Sequence, residues 1–226
     1  NQNGTALVTV SVSDGTETVS QQFTATVTAV NDVPVVTSTP ITSATEDVGY
    51  SYTLTATDID GDALTYSATT VPSWLSFDAS TRVLSGTPIN DNVGGHSVVL
   101  SVTDGTATET QSFTVTVANT NDTPVLASIS DPTAVLEDGD NIVILVSPTD
   151  SDVGASLTVT VTTNNGALFP SESIAVSPAT GSSGVERTIT MNPPDNQNGT
   201  ANVIVSVTDG TETVSQQFTA TVTAVN

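Results

Sequence analysis

Oxygen-bearing side chains recur in this 226-residue chain in short groups: Asn31 and Asp32, Asp58, Asp60 and Asp62, Asp104, then Asn119, Asn121 and Asp122, Asp150 and Asp152, and Asp209. Glu46 and Asp91 lie between them. Carboxylates and amides without His or Cys form the donor set of a hard cation, and calcium takes about six to eight such oxygens. One His and no Cys leave no nucleophile-base pair to build beyond that single residue. Paired carboxylates hydrolyse glycosides from within a pocket, whereas these sit in turns and linkers. The sequence predicts no enzyme.

The competing account is that Asp and Asn are turn residues, and Asp-Gly-Thr or Asn-Gly-Thr makes a hairpin without any ion. For one Asp that account suffices. Where several acidic and amide groups converge on one gap, their repulsion needs a cation, so calcium is the expected cofactor.

Composition narrows the partners. There are 24 Asp and Glu against two basic residues, Arg82 and Arg187, for a formal charge of -22. No phosphate backbone would be held, and an acidic, Lys-free surface is repelled by anionic lipid. No apolar run nears the roughly 18 residues of a membrane span. Neither nucleic acid nor membrane insertion is expected. Absent Cys leaves small domains without disulfide staples, and absent Lys excludes a Lys-Asn isopeptide cross-link, so metal is the remaining cross-link.

The elements that must position these oxygens follow from a repeat. Residues 1–31 recur at 196–226 with differences only at Leu7/Asn202, Thr9/Ile204 and Ser13/Thr208, the mark of a tandem array. A weaker echo at 101–122 repeats 11–32. The predicted parts are 1–32, the C-terminal strands of a preceding domain, then whole domains at 33–122 and 123–226, each near the roughly 100 residues of an Ig-like sandwich. No signal peptide begins the chain, which on this division starts inside a domain. The linkers AVNDVPV and NTNDTPV are short, and their Pro keeps the chain extended.

Alternating Thr and Val in runs such as SYTLTAT and QSFTVTV predict half-buried strands and an all-β fold of tandem Greek-key sandwiches in an extended array. In the middle domain strands are expected at about 35–43, 50–57, 63–70, 74–77, 82–85, 96–103 and 109–118. Because the chain reverses at each loop, Asp58, Asp60 and Asp104 fall at the incoming pole, with Asn31 and Asp32. Glu46 and Asp91 fall at the outgoing pole with Asn119, Asn121 and Asp122, to be met by Asp150, Asp152 and Asp209 of the next domain.

The stretches ATEDVGYSYTLTATDIDGDALTYSA, PSWLSFDASTRVLSGTP and VTDGT…TVANTNDTP resemble the dystroglycan-type cadherin-like domain over nearly all of 33–122. The third domain lacks the WLSFD block and resembles the cadherin-like tandem repeats of large bacterial RTX-type adhesins, through LEDGDNIVILVSPTDSD and RTITMNPPDNQNGTANVIVSVTDG. The resemblance implies junction calcium held by Glu46, Asp91, Asn121, Asp122, Asp150, Asp152 and Asp209. The family's richer acidic motif is represented here only by Asn90 and Asp91, which implies fewer ions per joint. It implies that Glu137 and Asp195 serve the following junction.

Among other residues, Trp74 precedes Leu75 and Phe77 in alternation and is expected in the core, His96 is expected to be incidental, and both arginines are expected to pair with local carboxylates. Asn3 and Asn198 match glycosylation sequons but are expected to form Asn-Gly hairpin turns. The function expected is that of a calcium-rigidified extender of a bacterial cell-surface adhesin, outside the cell, with neighbouring repeats as partners. Two alternatives stand beside it: a calcium-dependent carbohydrate-binding module whose partners are cell-surface glycans, and a filament subunit whose partners are like chains.

Overall fold

The computed structural model describes residues 2–225, in two compact units, 1–118 and 119–226. The regular structure is almost entirely β, with single 3-10 turns at Asn90–Asn92 and Ser171–Ser173. No helix among the described residues is long and apolar enough to cross a membrane.

The first unit opens with a two-stranded hairpin, β1 (Gly4–Ser13) and β2 (Thr18–Val27), in unbroken register from Gly4↔Val27 to Ser13↔Thr18. Its turn is set by Asp14, whose Oδ1 accepts from the Thr16 and Glu17 amides at 2.9 and 2.8 Å, and by Gly15 at φ 97°, a backbone region that glycine enters without penalty. There follow β3 (Val35–Val36), β4 (Ser43–Thr45), β5 (Tyr50–Thr53), β6 (Ala56–Thr57), β7 (Thr65–Thr70), β8 (Ser76–Asp78), β9 (Val83–Gly86), β10 (Gly94–Thr103) and β11 (Thr108–Ala118). One sheet runs β4-β11-β10-β7, another β5-β9-β8, and β3 pairs with β6. Between them lie Leu54, Leu84, Val98, Leu100 and Val115, all fully buried; each contributes about 1.5–3 kcal/mol by leaving water. Trp74 packs against this core, edge-on to Tyr50 and His96, as expected.

Two expected strands of this domain are corrected. The run 35–43 is two short strands in different sheets, β3 beside β6 and β4 parallel to β11. Pro40 lies between them without an N–H to sustain a ladder. The run 50–57 breaks at Leu54, whose N–H turns to Arg82 O at 2.9 Å.

The second unit holds β12 (Val135–Leu136), β13 (Ile142–Val146), β14 (Ser156–Thr163), β15 (Ile174–Ser177), β16 (Thr180–Ser182), β17 (Arg187–Met191), β18 (Gly199–Thr208) and β19 (Thr213–Thr223). Five strands form the sheet β12-β19-β18-β14-β16 and three form β13-β17-β15. Along β13 burial alternates strictly, the period of a strand with one face inward. The core comprises Leu157, Phe169, Ile189, Met191, Val203, Val205 and Val207 among others.

Arg187 is the largest fully buried side chain and corrects the expectation of a carboxylate pair. Its guanidinium donates to the backbone carbonyls of Ser182, Val185, Leu157 and Gly181. Arg82 lies with its guanidinium carbon 5.5 Å from the centre of the Tyr66 ring. The expected Asn-Gly hairpins are also corrected. Gly4 and Gly199 are the first residues of β1 and β18, and Asn198 precedes a strand reached from β17 of the other sheet. The Asn198 amide donates to Glu137 Oε2 at 2.7 Å.

Candidate metal centre

Each unit contains an acidic cluster built from the same three pieces: an Asn-Asp pair, an Asp-x-Asp loop and the Asp of an Asp-Gly-Thr hairpin. In the first unit the hairpin joins β10 to β11, and Asp104 Oδ1 accepts from the Thr106 and Ala107 amides, both at 2.6 Å. That satisfies the turn with one carboxylate oxygen. The other, Oδ2, accepts from the Asn31 side-chain amide at 2.9 Å, so one oxygen closes the turn and the other ties it to the Asn-Asp pair. The Ala107 N–H, the Asn31 amide and the Thr106 N–H together hold the Asp104 carboxyl below its usual value.

The Asp-x-Asp loop is organised by its first member. Asp58 Oδ1 accepts from the amides of Asp60, Gly61 and Asp62 at 2.8, 3.1 and 3.4 Å, with Gly61 at φ 81°. Asp60 Oδ2 in turn accepts from the Asp32 backbone amide at 2.8 Å. Asp58 Oδ2 is buried and has no hydrogen-bond partner. An anionic oxygen in that position is costly unless a positive group faces it.

The second unit repeats this wiring. Asn121 donates to Asp209 Oδ2 at 2.9 Å, Asp122 N–H to Asp152 Oδ2 at 3.0 Å, and Asp152 N–H to Asp150 Oδ1 at 2.8 Å. Asp209 Oδ1 caps its turn through Thr211 and Glu212 at 2.6 and 2.7 Å, and these bonds, with the one from Asn121, hold its carboxyl low. Asp150 Oδ2 is again buried without a hydrogen-bond partner. Burial pushes the Asp150 carboxyl up; the Asp152 amide opposes this, while the charges of Asp152, Asp209 and Asp122 add to it. Asn119 joins through its amide to Asp152 Oδ1 at 2.8 Å.

The remaining candidates lie at the outgoing ends. Glu46 is buried, and its N–H donates to Ala118 O at 3.0 Å. Asp47 N–H reaches Pro88 O at 2.9 Å, bringing that loop toward the 3-10 turn that carries Asp91. Glu137 occupies the matching place in the second unit: its N–H donates to Thr223 O at 2.9 Å, and its carboxylate accepts from Val225 N–H at 3.0 Å and from Asn198. These two donors hold it low. Asp195 is exposed in a turn.

Two neighbours of these clusters were not placed at a junction by the sequence reading. Asp62 stands in the same loop as Asp58 and Asp60, and one carboxylate oxygen from each lies within 4.8 Å of the others. Its Asp-Gly-Asp spacing was visible. Ser183 was not: its hydroxyl accepts from Asp150 N–H at 2.9 Å and donates to Asp150 O at 3.0 Å, and a serine 33 residues away carries no local signal.

Comparison with known proteins agrees with the fold. Residues 33–118 match the family described as Putative Ig domain. Their fold is an Ig-like β-sandwich. Human Protocadherin-24 EC1-2 (Form II) is similar over 87% of this chain and 100% of its own, with a TM-score of 0.52 and 20% identity. The protocadherin gammaB7 EC3-6 structure is similar over 81% of this chain and 45% of its own, with a TM-score of 0.54 and 18% identity. An endo-fucoidan hydrolase from glycoside hydrolase family 107 aligns with 100% of this chain, but at a TM-score of 0.38 and 19% identity. The chain spans 34% of that enzyme's length. No curated protein sequence matches the chain.

Proposed function

We propose that each cluster is a calcium site and that the chain serves as calcium-stiffened extender repeats of a large bacterial surface adhesin, outside the cell. The observation that carries this reading is the duplicated wiring, with a buried, unbonded aspartate oxygen at Asp58 in one unit and at Asp150 in the other. Two domains of different internal sequence keep the same five positions in the same hydrogen-bond pattern. All donors are oxygens, the set that calcium takes. Bound calcium supplies the positive charge that these oxygens face.

The residues that would hold it are Asp58, Asp60, Asp62 and Asp104 with Asn31 and Asp32, and Asp150, Asp152 and Asp209 with Asn119, Asn121 and Asp122. Glu46 with Asp91, and Glu137 with Asp195, are proposed as the ligands that each domain offers at its outgoing end. Fixing the Asn-Asp pair against the loops of its own domain removes the freedom of the linker. The work is mechanical, and the acidic surface repels itself when the ion is removed.

Small-angle scattering with calcium and then with excess chelator tests the function, and calorimetric titration tests the sites. Binding with a longer maximum dimension in calcium is expected. An unchanged dimension after chelation, with binding intact, would sink the stiffening role and leave the sites standing.

A further inference from the structure

We infer that Asn119, Thr123 and Glu212 lock the segment that opens the second unit without any ion, so that the two clusters differ in how far they depend on calcium. The lock is built from protein atoms alone; its consequence for calcium rests on the calcium-site reading above.

Residues 29–33 and 119–123 are counterparts, aligned through Asn31-Asp32 and Asn121-Asp122. Two donations are common to both: the Asn side chain to the hairpin aspartate, and the following backbone amide to the second Asp of the Asp-x-Asp loop. The second unit adds two more. Asn119 donates to Asp152 Oδ1 at 2.8 Å, and the Thr123 hydroxyl donates to Glu212 Oε2. Residues 119, 121, 122 and 123 thus each hold a carboxylate of their own unit, and charge-assisted hydrogen bonds are roughly twice as strong as neutral ones.

The first unit cannot make the two added bonds, for reasons of residue type. Its counterparts of Asn119, Thr123 and Glu212 are Ala29, Val33 and Ala107, whose side chains carry neither donor nor acceptor.

The receiving groups of the second unit are themselves fixed. Asp152 is held at both oxygens, Oδ1 by Asn119 and Oδ2 by the Asp122 amide. Its own N–H donates to Asp150 Oδ1, and Ser183 bonds both backbone groups of Asp150. Glu212 N–H is tied to Asp209 Oδ1 at 2.7 Å. Just beyond the segment, Val125 and Thr149 exchange backbone bonds at 2.7 and 3.0 Å. The first unit instead concentrates charge in its loop: Asp62 stands where the second has Gly154, and one oxygen each of Asp58, Asp60 and Asp62 lie within 4.8 Å of one another. Ligand charge and site rigidity are the two quantities that tune a calcium site. Calcium therefore orders 29–33 and adds little order at 119–123.

Backbone amide nitrogen relaxation on the full chain, in excess chelator and then in calcium, tests this. In chelator, order parameters of about 0.85 are expected at 119–123 and below about 0.6 at 29–33; calcium should raise only the latter. Asn119→Ala with Thr123→Val and Glu212→Ala, which installs the first unit's residues, should bring 119–123 below about 0.6 in chelator and leave β18 and β19 unchanged. The reverse exchange, Ala29→Asn with Val33→Thr and Ala107→Glu, should make 29–33 rigid in chelator, and it decides the matter if the first variant fails to fold. Equal order in the two segments in chelator, whether both are rigid or both mobile, overturns the inference. So does a folded first variant whose 119–123 stays rigid in chelator. If calcium changes neither segment while chelator still separates them, the lock stands and the calcium sites fall.

Discussion

Asp209 divides its two carboxylate oxygens between tasks: Oδ1 closes its own hairpin through Thr211 and Glu212, while Oδ2 accepts from Asn121, 88 residues earlier, at 2.9 Å. The same division holds at Asp104, with Asn31. A turn residue becomes a tie to the linker because a carboxylate has more acceptor sites than a hairpin needs.

Asp58→Asn and Asp150→Asn separate metal binding from folding. An amide keeps the oxygen that the loop uses and puts an NH2 where the buried, unbonded oxygen lies. In chelator the melting temperatures should be unchanged or raised. Calcium affinity should fall at least about tenfold, the lower end of the loss expected even for an outer-shell partner, and the calcium-dependent rise in stability should shrink accordingly. Calorimetry paired with thermal melts reads both, and unaltered affinity in both variants contradicts the site.

The pH dependence has two windows. Burial raises the Asp150 carboxyl above its ordinary 3.8, so the calcium-free fold gains from this group as pH falls through the raised value, and loses that gain as pH rises. Calcium binding runs the other way because the ligand must be ionised: affinity at this site should decline as pH falls through the raised value. Asp104 and Asp209 are held below 3.8. Their contribution to stability is present above the ordinary value and is lost only as pH falls through the lowered ones. Calcium titrations at successive pH values, repeated on Asp150→Asn, should show a decline in the parent chain that begins at higher pH than in the variant, which lacks the raised carboxyl.

Arg187→Met should destabilise the second unit by about 3 kcal/mol or more, because it removes four guanidinium–carbonyl bonds, one buried and three partly buried, and a hydrogen bond to a charged group is worth about 1.5–3 kcal/mol. The segment Arg187 holds, Ser182 to Val185, carries Ser183, whose hydroxyl bonds to both backbone groups of Asp150. Ser183→Ala should therefore weaken calcium binding about 10-fold or more with little change in fold. Denaturant unfolding followed by hydrogen exchange, and calorimetry on the serine variant, check the two effects.

Gly86→Ala should unfold the middle domain. A Cβ at Gly86 would lie 1.9 Å from the Trp74 carbonyl oxygen, a backbone atom that cannot move aside, so the cost should exceed about 3 kcal/mol, the upper end of ordinary overpacking. Trp74 is the only tryptophan, so its fluorescence during urea unfolding reports on this domain.

The β class, the Asp-Gly-Thr hairpins and the grouping of Asp58, Asp60 and Asp104 with Asn31 and Asp32 were legible because each depends on local pattern: a period of two, a turn residue or loop parity. The split of 35–43 was less so. Pro40 marks where the ladder stops, but only packing decides that the chain then changes sheets.

What the sequence determined by itself was the repeat, the absence of Lys and Cys, the short Pro-bearing linkers and the oxygen-only donor set, all properties of residue types and order. Only the tertiary structure decided which oxygen of Asp104, Asp209, Asp58 and Asp150 is engaged and which is left, that Arg187 is buried on carbonyls, and that Ser183 reaches Asp150. Hydrogen bonds and burial depend on through-space distances of a few ångströms between residues far apart in the chain, and no local pattern encodes them.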